Sequence, residues 1–198
     1  MASSSDEEVC KRFYTTVFKG FLSVIAIGSA VLILASRFLT GLLLNVSYFE
    51  AWRYMPTLLC AAAIESIVSF LATVYMVRKK SMHSFLTAML GTVLNVLLNL
   101  LLIPRMGALG AAIATLCGYL IVLIARLIDA PRIIRFDLCL PRMFLSAVLL
   151  LLSSVLMTVV PDGYLLWTAL VTLLILALNA IPLLRGVQSM LDFRRHKS

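Results

Sequence analysis

The residues with the greatest chemical potential in this chain are a carboxylate and a set of amides embedded in apolar sequence. Glu65 is followed by Ser69 and Thr73, with Ser66 alongside. Spacings of four and eight place Glu65, Ser69 and Thr73 on one face of a helix. Such a face has two readings. It lines a cavity, with Glu65 as a proton-titrating carboxylate, or Glu65 is a protonated or hydrogen-bonded group inside a helix bundle with no transport role. Asn95 and Asn99 share a face with Gly91. Amides in hydrocarbon seek partners across a helix interface, so they either contact a substrate or join helices. Asn179, alone in its stretch, reads as helix-to-helix glue.

Little else in the chain suggests covalent chemistry. There is no nucleophile–base pair, phosphate-binding loop, dinucleotide glycine motif or pair of acid/base carboxylates. The expectation is therefore no enzyme, no catalytic residue and no cofactor. Cys10, Cys60, Cys117 and Cys139 form no C-x-x-C pair, and Cys60 and Cys117 lie in apolar stretches, where free cysteine behaves as a small hydrophobe. His83 and His196 have no second ligand at metal spacing. Neither a disulfide nor a metal site is expected.

The elements that hold Glu65 and the amides are membrane spans. The 198 residues are 62% hydrophobic and 13% charged, with a mean hydropathy of +1.06. An ordinary globular domain is nearer half apolar and a quarter charged. A soluble fold of this length could not bury that much apolar surface, so the class is all-α and polytopic. Six apolar runs occur: Val17 to about Leu44, loosely broken by Arg37; Met55–Val77; Ser84–Pro104; Ala108–Ile128; Pro141–Val160; and Tyr164–Leu184. Each has roughly twenty residues, enough for a helix to cross about 30 Å of hydrocarbon. The first run is no signal peptide, because Ser3–Ser5 and Asp6–Glu8 precede it and no small-residue cleavage site closes it.

Lys and Arg total 17 against 9 Asp and Glu. In a soluble protein this excess would suggest nucleic acid; here it reads as loop orientation, with no nucleic-acid partner. Lys11, Arg12 and Lys19 lie at the N-terminus, Arg78, Lys79 and Lys80 in the second loop, Arg126, Arg132, Arg135 and Arg142 in the fourth, and Arg185, Arg194, Arg195 and Lys197 at the C-terminus. The alternate loops hold Arg37, Arg53 and Arg105. The positive-inside rule then places both termini in the cytoplasm. An even number of crossings requires the same.

The chain divides into a cytoplasmic segment (1–16), four helices (17–128), a cytoplasmic link (129–140), a final helix pair (141–185) and a basic cytoplasmic tail (186–198). Within the link, Pro131 and the amphipathic Ile133–Phe136 are expected along the lipid headgroups. Gly110, Ala114 and Gly118 form a small-xxx-small ladder suited to close helix packing, with Gly107 and Ala111 starting a parallel row. Tyr48, Phe49, Trp52 and Tyr54 read as an outer aromatic belt, with a sugar-stacking platform as the alternative.

Several stretches carry a family resemblance. They are Phe49–Pro56 (FEAWRYMP), Arg78–Ser81 (RKKS), Gly91–Asn99 (GTVLNVLLN) and Leu102–Thr115 (LIPRMGALGAAIAT). Together, over roughly residues 10–185, the chain resembles the C-terminal region of the polysaccharide biosynthesis proteins. These are oligosaccharide flippases of the multidrug/oligosaccharidyl-lipid/polysaccharide exporter superfamily. The N-x-x-x-N run and the following L-I-P-x-x-G-x-x-G-A-A-x-A-T are the most specific part.

The resemblance implies the C-terminal lobe of a two-lobe exporter bundle whose members have twelve to fourteen helices around a central cavity. It implies a lipid-linked oligosaccharide substrate, moved across the bacterial cytoplasmic membrane by alternating access during surface polysaccharide assembly. It also implies a partner, either a missing N-terminal lobe or a second copy of the chain, and a truncated or split reading frame. Glu65, Ser69, Thr73, Asn95 and Asn99 become the candidate cavity residues. Arg53 and Arg105 are basic candidates on the outer side, with Arg78, Lys79 and Lys80 on the inner. A cation-coupled drug exporter with Glu65 as coupling carboxylate, a non-transporting membrane subunit and a membrane-bound glycosyltransferase accessory or polymerase remain alternatives.

The orientation has a direct test. A reporter active only in the periplasm, fused after Ser198, is expected to be silent. Strong activity would reverse the topology.

Overall fold

A computed structural model describes residues 4–43, 46–133, 136–160 and 163–195. Among these, six helices are long and apolar enough to cross a membrane. They are α1 (Ser4–Leu43), α2 (Met55–Val77), α3 (Ser81–Met106), α4 (Ala108–Ile133), α5 (Leu140–Val159) and α6 (Tyr164–Arg195). A short 3-10 helix, Val46–Arg53, joins α1 to α2. The protein is an all-α, multi-pass membrane bundle.

Several helices outrun the apolar sequence that seeds them, α1 at its start and α4 and α6 at their ends. The 40 residues of α1 span roughly 60 Å at 1.5 Å per residue, about twice the hydrocarbon thickness. Neither proline nor glycine interrupts its first turns, and Arg12 pairs with Glu8 at 3.3 Å one turn apart. Tyr14 then anchors the extension against Phe70 and Phe136. At the other extreme, α4 continues five residues past the expected end at Ile128, through Pro131. Proline there forfeits a hydrogen bond only in the last turn, where the loss matters least.

Tight turns fix the order of neighbours. Lys79 takes a left-handed conformation, φ +53°. The Lys79 N–H donates to the Met76 carbonyl and the Lys80 N–H to the Tyr75 carbonyl, 2.8 Å. These are the paired bonds that close a helix C-terminus in a Schellman motif. Gly107, at φ +58°, ends α3 and starts α4 within one residue.

The bundle has two sides around α2. On one, α4 packs along α2 and α3 packs almost entirely on α4; on the other, α1, α5 and α6 associate. The first helix therefore sits with the final pair and does not form a separate four-helix unit with α2–α4. Its contacts run over long sequence separations: Ser36 Oγ reaches Met157 Sδ at 3.2 Å, and Arg142 Nη2 donates to the Lys19 carbonyl and to Ser23 Oγ.

The expected headgroup-lying link is also tucked in. Ile134 and Arg135 fall outside the described residues, but Phe136 and Leu138 are buried in the same cluster as Phe18, and the Phe136 ring meets Phe18 edge-on and Tyr14 at a tilt. Lys19 pairs with Asp137 at 3.1 Å. The backbone N–H of Cys139, with Lys19 beside it, holds the Asp137 carboxyl below the usual carboxylate range.

Hydrophobic burial gives no driving force between helices in lipid, so close packing of small residues takes its place. Gly91 on α3 and Gly118 on α4 meet with their backbones nearly touching. A Cβ on Gly91 would overlap the Val122 side chain and lie 2.8 Å from the Gly118 carbonyl oxygen. A Cβ on Gly110 would fall 2.5 Å from the Leu102 carbonyl oxygen. Gly110, Ala114 and Gly118 are all buried, and Gly91 is the one buried residue of α3.

Gly91→Ala is expected to destabilise the protein by about 1–3 kcal/mol, the usual cost of overpacking. Gly28→Ala, where a Cβ meets nothing within 4 Å, should leave stability unchanged. Thermal unfolding in detergent compares the two. Equal midpoints would show that the α3–α4 approach is not tight.

Candidate functional site

Because α2 and α3 both lean on α4 but barely touch one another, a groove opens between them with α4 as its floor. It encloses about 400 Å3 and is lined by Val68 of α2, by Ala88, Gly91, Thr92 and Asn95 of α3, and by Thr115, Gly118, Tyr119, Val122 and Arg126 of α4. The glycine contact brings the two backbones together at its floor. The polar atoms stand on the walls.

Arg126 closes one end. Its side chain is buried, 4% exposed, and ties three helices together. Nη1 donates to the Val68 carbonyl at 2.6 Å, Nε to Thr87 Oγ1 at 3.1 Å, and Nη2 to the carbonyl and hydroxyl of Ser84 at 3.2 and 3.3 Å. The guanidinium also lies 5.7 Å from the centre of the Tyr75 ring. Among the described residues no carboxylate lies within ion-pair distance of it. A buried cation is costly without compensation, and here neutral oxygens and an aromatic ring provide that compensation. Its charge is thus met by dipoles and not by a counter-ion among the described residues, and a net positive charge remains at this end of the groove.

The sequence reading counted Arg126 as a loop cation, and the structure corrects this. The signal was present in the spacing. Residues 115, 118, 122 and 126 recur every three or four positions along α4, so Arg126 continues the groove face. Its place two residues before the end of the apolar run hid it among the orienting charges. Arg142, also assigned to that loop, lies in the first turn of α5 and bonds to α1.

The two amides sit together. Asn99 Nδ2 donates to Asn95 Oδ1 at 3.0 Å, and Asn95 Nδ2 reaches Thr115 Oγ1 at 3.5 Å across the interface. The pair thus joins helices and also presents polar atoms. Asn99 Oδ1 is buried without a hydrogen-bond partner among the described residues. Asn179 is wholly buried, donating to Ser146 Oγ and the Ile175 carbonyl.

Glu65, Ser69 and Thr73 do not line this groove. They lie on the adjacent outward face of α2, with Glu65 half-buried and Ser69 and Thr73 exposed. Ser69 Oγ donates to Glu65 Oε1 at 2.7 Å, while Thr73 Oγ1 donates back to the Phe70 carbonyl. Carboxylate and amides therefore occupy neighbouring surfaces, with Val68 between them on the same helix.

At the far end of the bundle the aromatic cluster is occupied by cations. Arg37 lies 4.8 Å from the Trp52 ring and 5.0 Å from the Tyr164 ring, so it staples α1 to the 3-10 helix and to α6 without breaking α1. Arg53 sits 5.8 Å from the same Trp52 ring and 3.8 Å from Glu50. This occupancy weighs against a sugar platform at Trp52. The side chains of Tyr48 and Phe49 lie outside the described residues.

The chain matches no protein-family model, no curated protein and no solved structure.

The α2 face generates a prediction. A polar stripe at this depth is expected to face protein or water, so Glu65→Cys should react with a membrane-impermeant maleimide at least tenfold faster than Leu100→Cys, whose parent side chain is 70% exposed on apolar α3. Glu65→Gln should insert normally. Labelling of Glu65→Cys by lipid-dissolved reagents alone would place this face in the bilayer.

Proposed function

We propose that this chain is the C-terminal lobe of a lipid-linked oligosaccharide flippase, in a bacterial cytoplasmic membrane with both termini cytoplasmic. The observation that carries the reading is the groove with its buried guanidinium. A lipid-linked oligosaccharide joins an apolar chain to a polar glycan through phosphate. The groove offers a match for each part: apolar walls from Val68 and Val122, amide and hydroxyl groups from Asn95, Thr92 and Thr115, and the Arg126 cation at one end. Most of the guanidinium's donors are taken by Val68, Ser84 and Thr87, so what Arg126 contributes toward phosphate is positive charge at that end. The stretch with the most specific family resemblance, residues 95–115, supplies Asn95 and Thr115 to this groove.

The groove is open along one side, and the polar face of α2 is exposed beside it. Alternating access needs a second wall, which paired repeats supply in transporters of this type. The partner is a preceding eight-helix lobe or a second copy of the chain, and the Glu65 face and the open groove are the surfaces it would cover. Glu65 also supports a second reading, a cation-coupled drug exporter of the same superfamily with this carboxylate as the coupling group.

Complementation tests the proposal. In a strain lacking every related gene, the 198-residue chain alone is expected not to restore surface polysaccharide, and co-expression with an eight-helix N-terminal lobe is expected to restore it. In that complemented setting Arg126→Ala should lower export at least tenfold, about the loss of one hydrogen-bonded charge contact, with insertion unchanged. Restoration by the chain alone would point to a self-sufficient homodimer. Drug resistance abolished by Glu65→Gln, without any effect on polysaccharide, would favour the exporter. No effect of Arg126→Ala would remove the groove from the mechanism.

A further inference from the structure

The groove ends at Arg126, but the contacts continue one layer further toward the end that carries both termini. His83, in the first turn of α3, sets Nδ1 3.1 Å from Oδ2 of Asp129, which lies one turn beyond Arg126 on α4. The His83 ring stacks near Tyr75 of α2, with centroids 6.4 Å apart and planes at 20°. Tyr75 is the same ring that carries the Arg126 guanidinium. The three helices that frame the groove are therefore joined twice at this end, by the Arg126 bonds and then by the His83–Asp129 pair with Tyr75 between the layers. The outer layer is the weaker and wetter one: the His83 side chain is 51% exposed and that of Asp129 25%.

We propose that His83 and Asp129 form a proton-sensitive latch over the closed end of the groove. Histidine is the side chain that gains or loses charge between about pH 5 and 8. Protonated His83 gives Asp129 a full counter-charge across 3.1 Å. Neutral His83 offers one hydrogen bond at most, and only when its proton sits on Nδ1. The charged groups around the pair keep this sign. From α4, Asp129 is in direct contact, whereas Arg126, set against the same Tyr75 ring, opposes the imidazolium. From α2, Tyr75 is neutral. Arg78, Lys79 and Lys80 of the α2–α3 turn and Arg132 of α4 add cations on the helices that hold the pair, where water screens them. Acid thus fastens the start of α3 to the end of α4, and alkali loosens it. The Arg126 bonds to Ser84 and Thr87 of α3 lie directly beneath, so loosening the start of α3 also relaxes the end of the groove.

The latch regulates the site proposed above and rests on that reading for its purpose alone. Water access reads the latch and export reads the transport site, so each can fail without the other. The probe is Ala88→Cys, on the groove wall, in a full-length chain otherwise free of cysteine. It is reacted in membrane vesicles with a membrane-impermeant maleimide supplied from the side of the termini. Thiol reactivity itself varies with pH, so the reading is a ratio between variants at each pH. His83→Gln keeps a neutral hydrogen-bonding group and cannot gain charge. Its labelling is expected to exceed that of the His83 chain about three- to fivefold at pH 6, the scale of a partly exposed ion pair, and to equal it at pH 8. Asp129→Asn should match His83→Gln. His83→Arg, charged throughout, should label slowly at both pH values. A His83→Gln ratio that is the same at pH 6 and pH 8, an inert Asp129→Asn, or fast labelling of His83→Arg at pH 8 would each overturn the latch.

Discussion

The close passage of α3 over α4 is the contact on which the groove depends. Only the absence of a Cβ at Gly91 and Gly118 lets the two backbones come this near. Elsewhere α3 is held by Leu102 against Gly110 and by the Arg126 and His83 contacts near its start, and much of its remaining surface is exposed and apolar. If the glycines were larger, α3 would ride higher, Asn95 would lose Thr115, and the residues that bracket Arg126 would separate. The missing Cβ atoms at two positions thus hold α3 close enough for the polar residues of the groove to meet.

The second constraint is polarity in hydrocarbon. Arg126 is buried because its donors are met by one carbonyl from α2 and by the serine and threonine that open α3. Polar groups at such depth are tolerated where neighbouring helices satisfy them. On the other side of α2 the same need is met locally: Ser23, Ser36, Thr40, Ser66 and Thr168 each donate to a carbonyl three or four residues earlier on their own helix. Both sides also share polar groups between helices, as in Asn179 to Ser146 and Arg142 to Ser23, but among the described residues only around Arg126 is a charge held this way beside an open space.

The six spans were legible in the sequence because composition and length determine them nearly alone. The glycine ladder was legible too, since small-residue spacing is a direct statement about how near two backbones come. The partner of that ladder was harder to read: Gly91 had been grouped with the amides, and which helix faces which is a property of the assembled bundle. Arg126 was misplaced for a related reason. A basic residue near the end of an apolar run has the same appearance whether it orients the chain or is folded inward, and the difference lies in Ser84 and Thr87, some forty positions away. Phe136 illustrates the converse. Its amphipathic segment reads as a headgroup-lying strip, but the aromatic residues on the extended start of α1 give it a protein surface to bury against.

The pairing of the first helix with the last two helices of the chain has a temporal side. Protein is made from the N-terminus at about 5–20 residues per second, so α1 enters the bilayer many seconds before Met157 exists to meet Ser36. During that interval the α2–α3–α4 side can assemble, because its contacts close over short stretches of chain. The first helix must wait in lipid among helices that are not its final neighbours. Ser36 and Thr40 are equipped for that wait, since both hydroxyls already donate to carbonyls of α1 itself and need nothing from α5 or α6 to be at rest in hydrocarbon. The order of synthesis is thereby matched by the order in which each side of the bundle comes to depend on others.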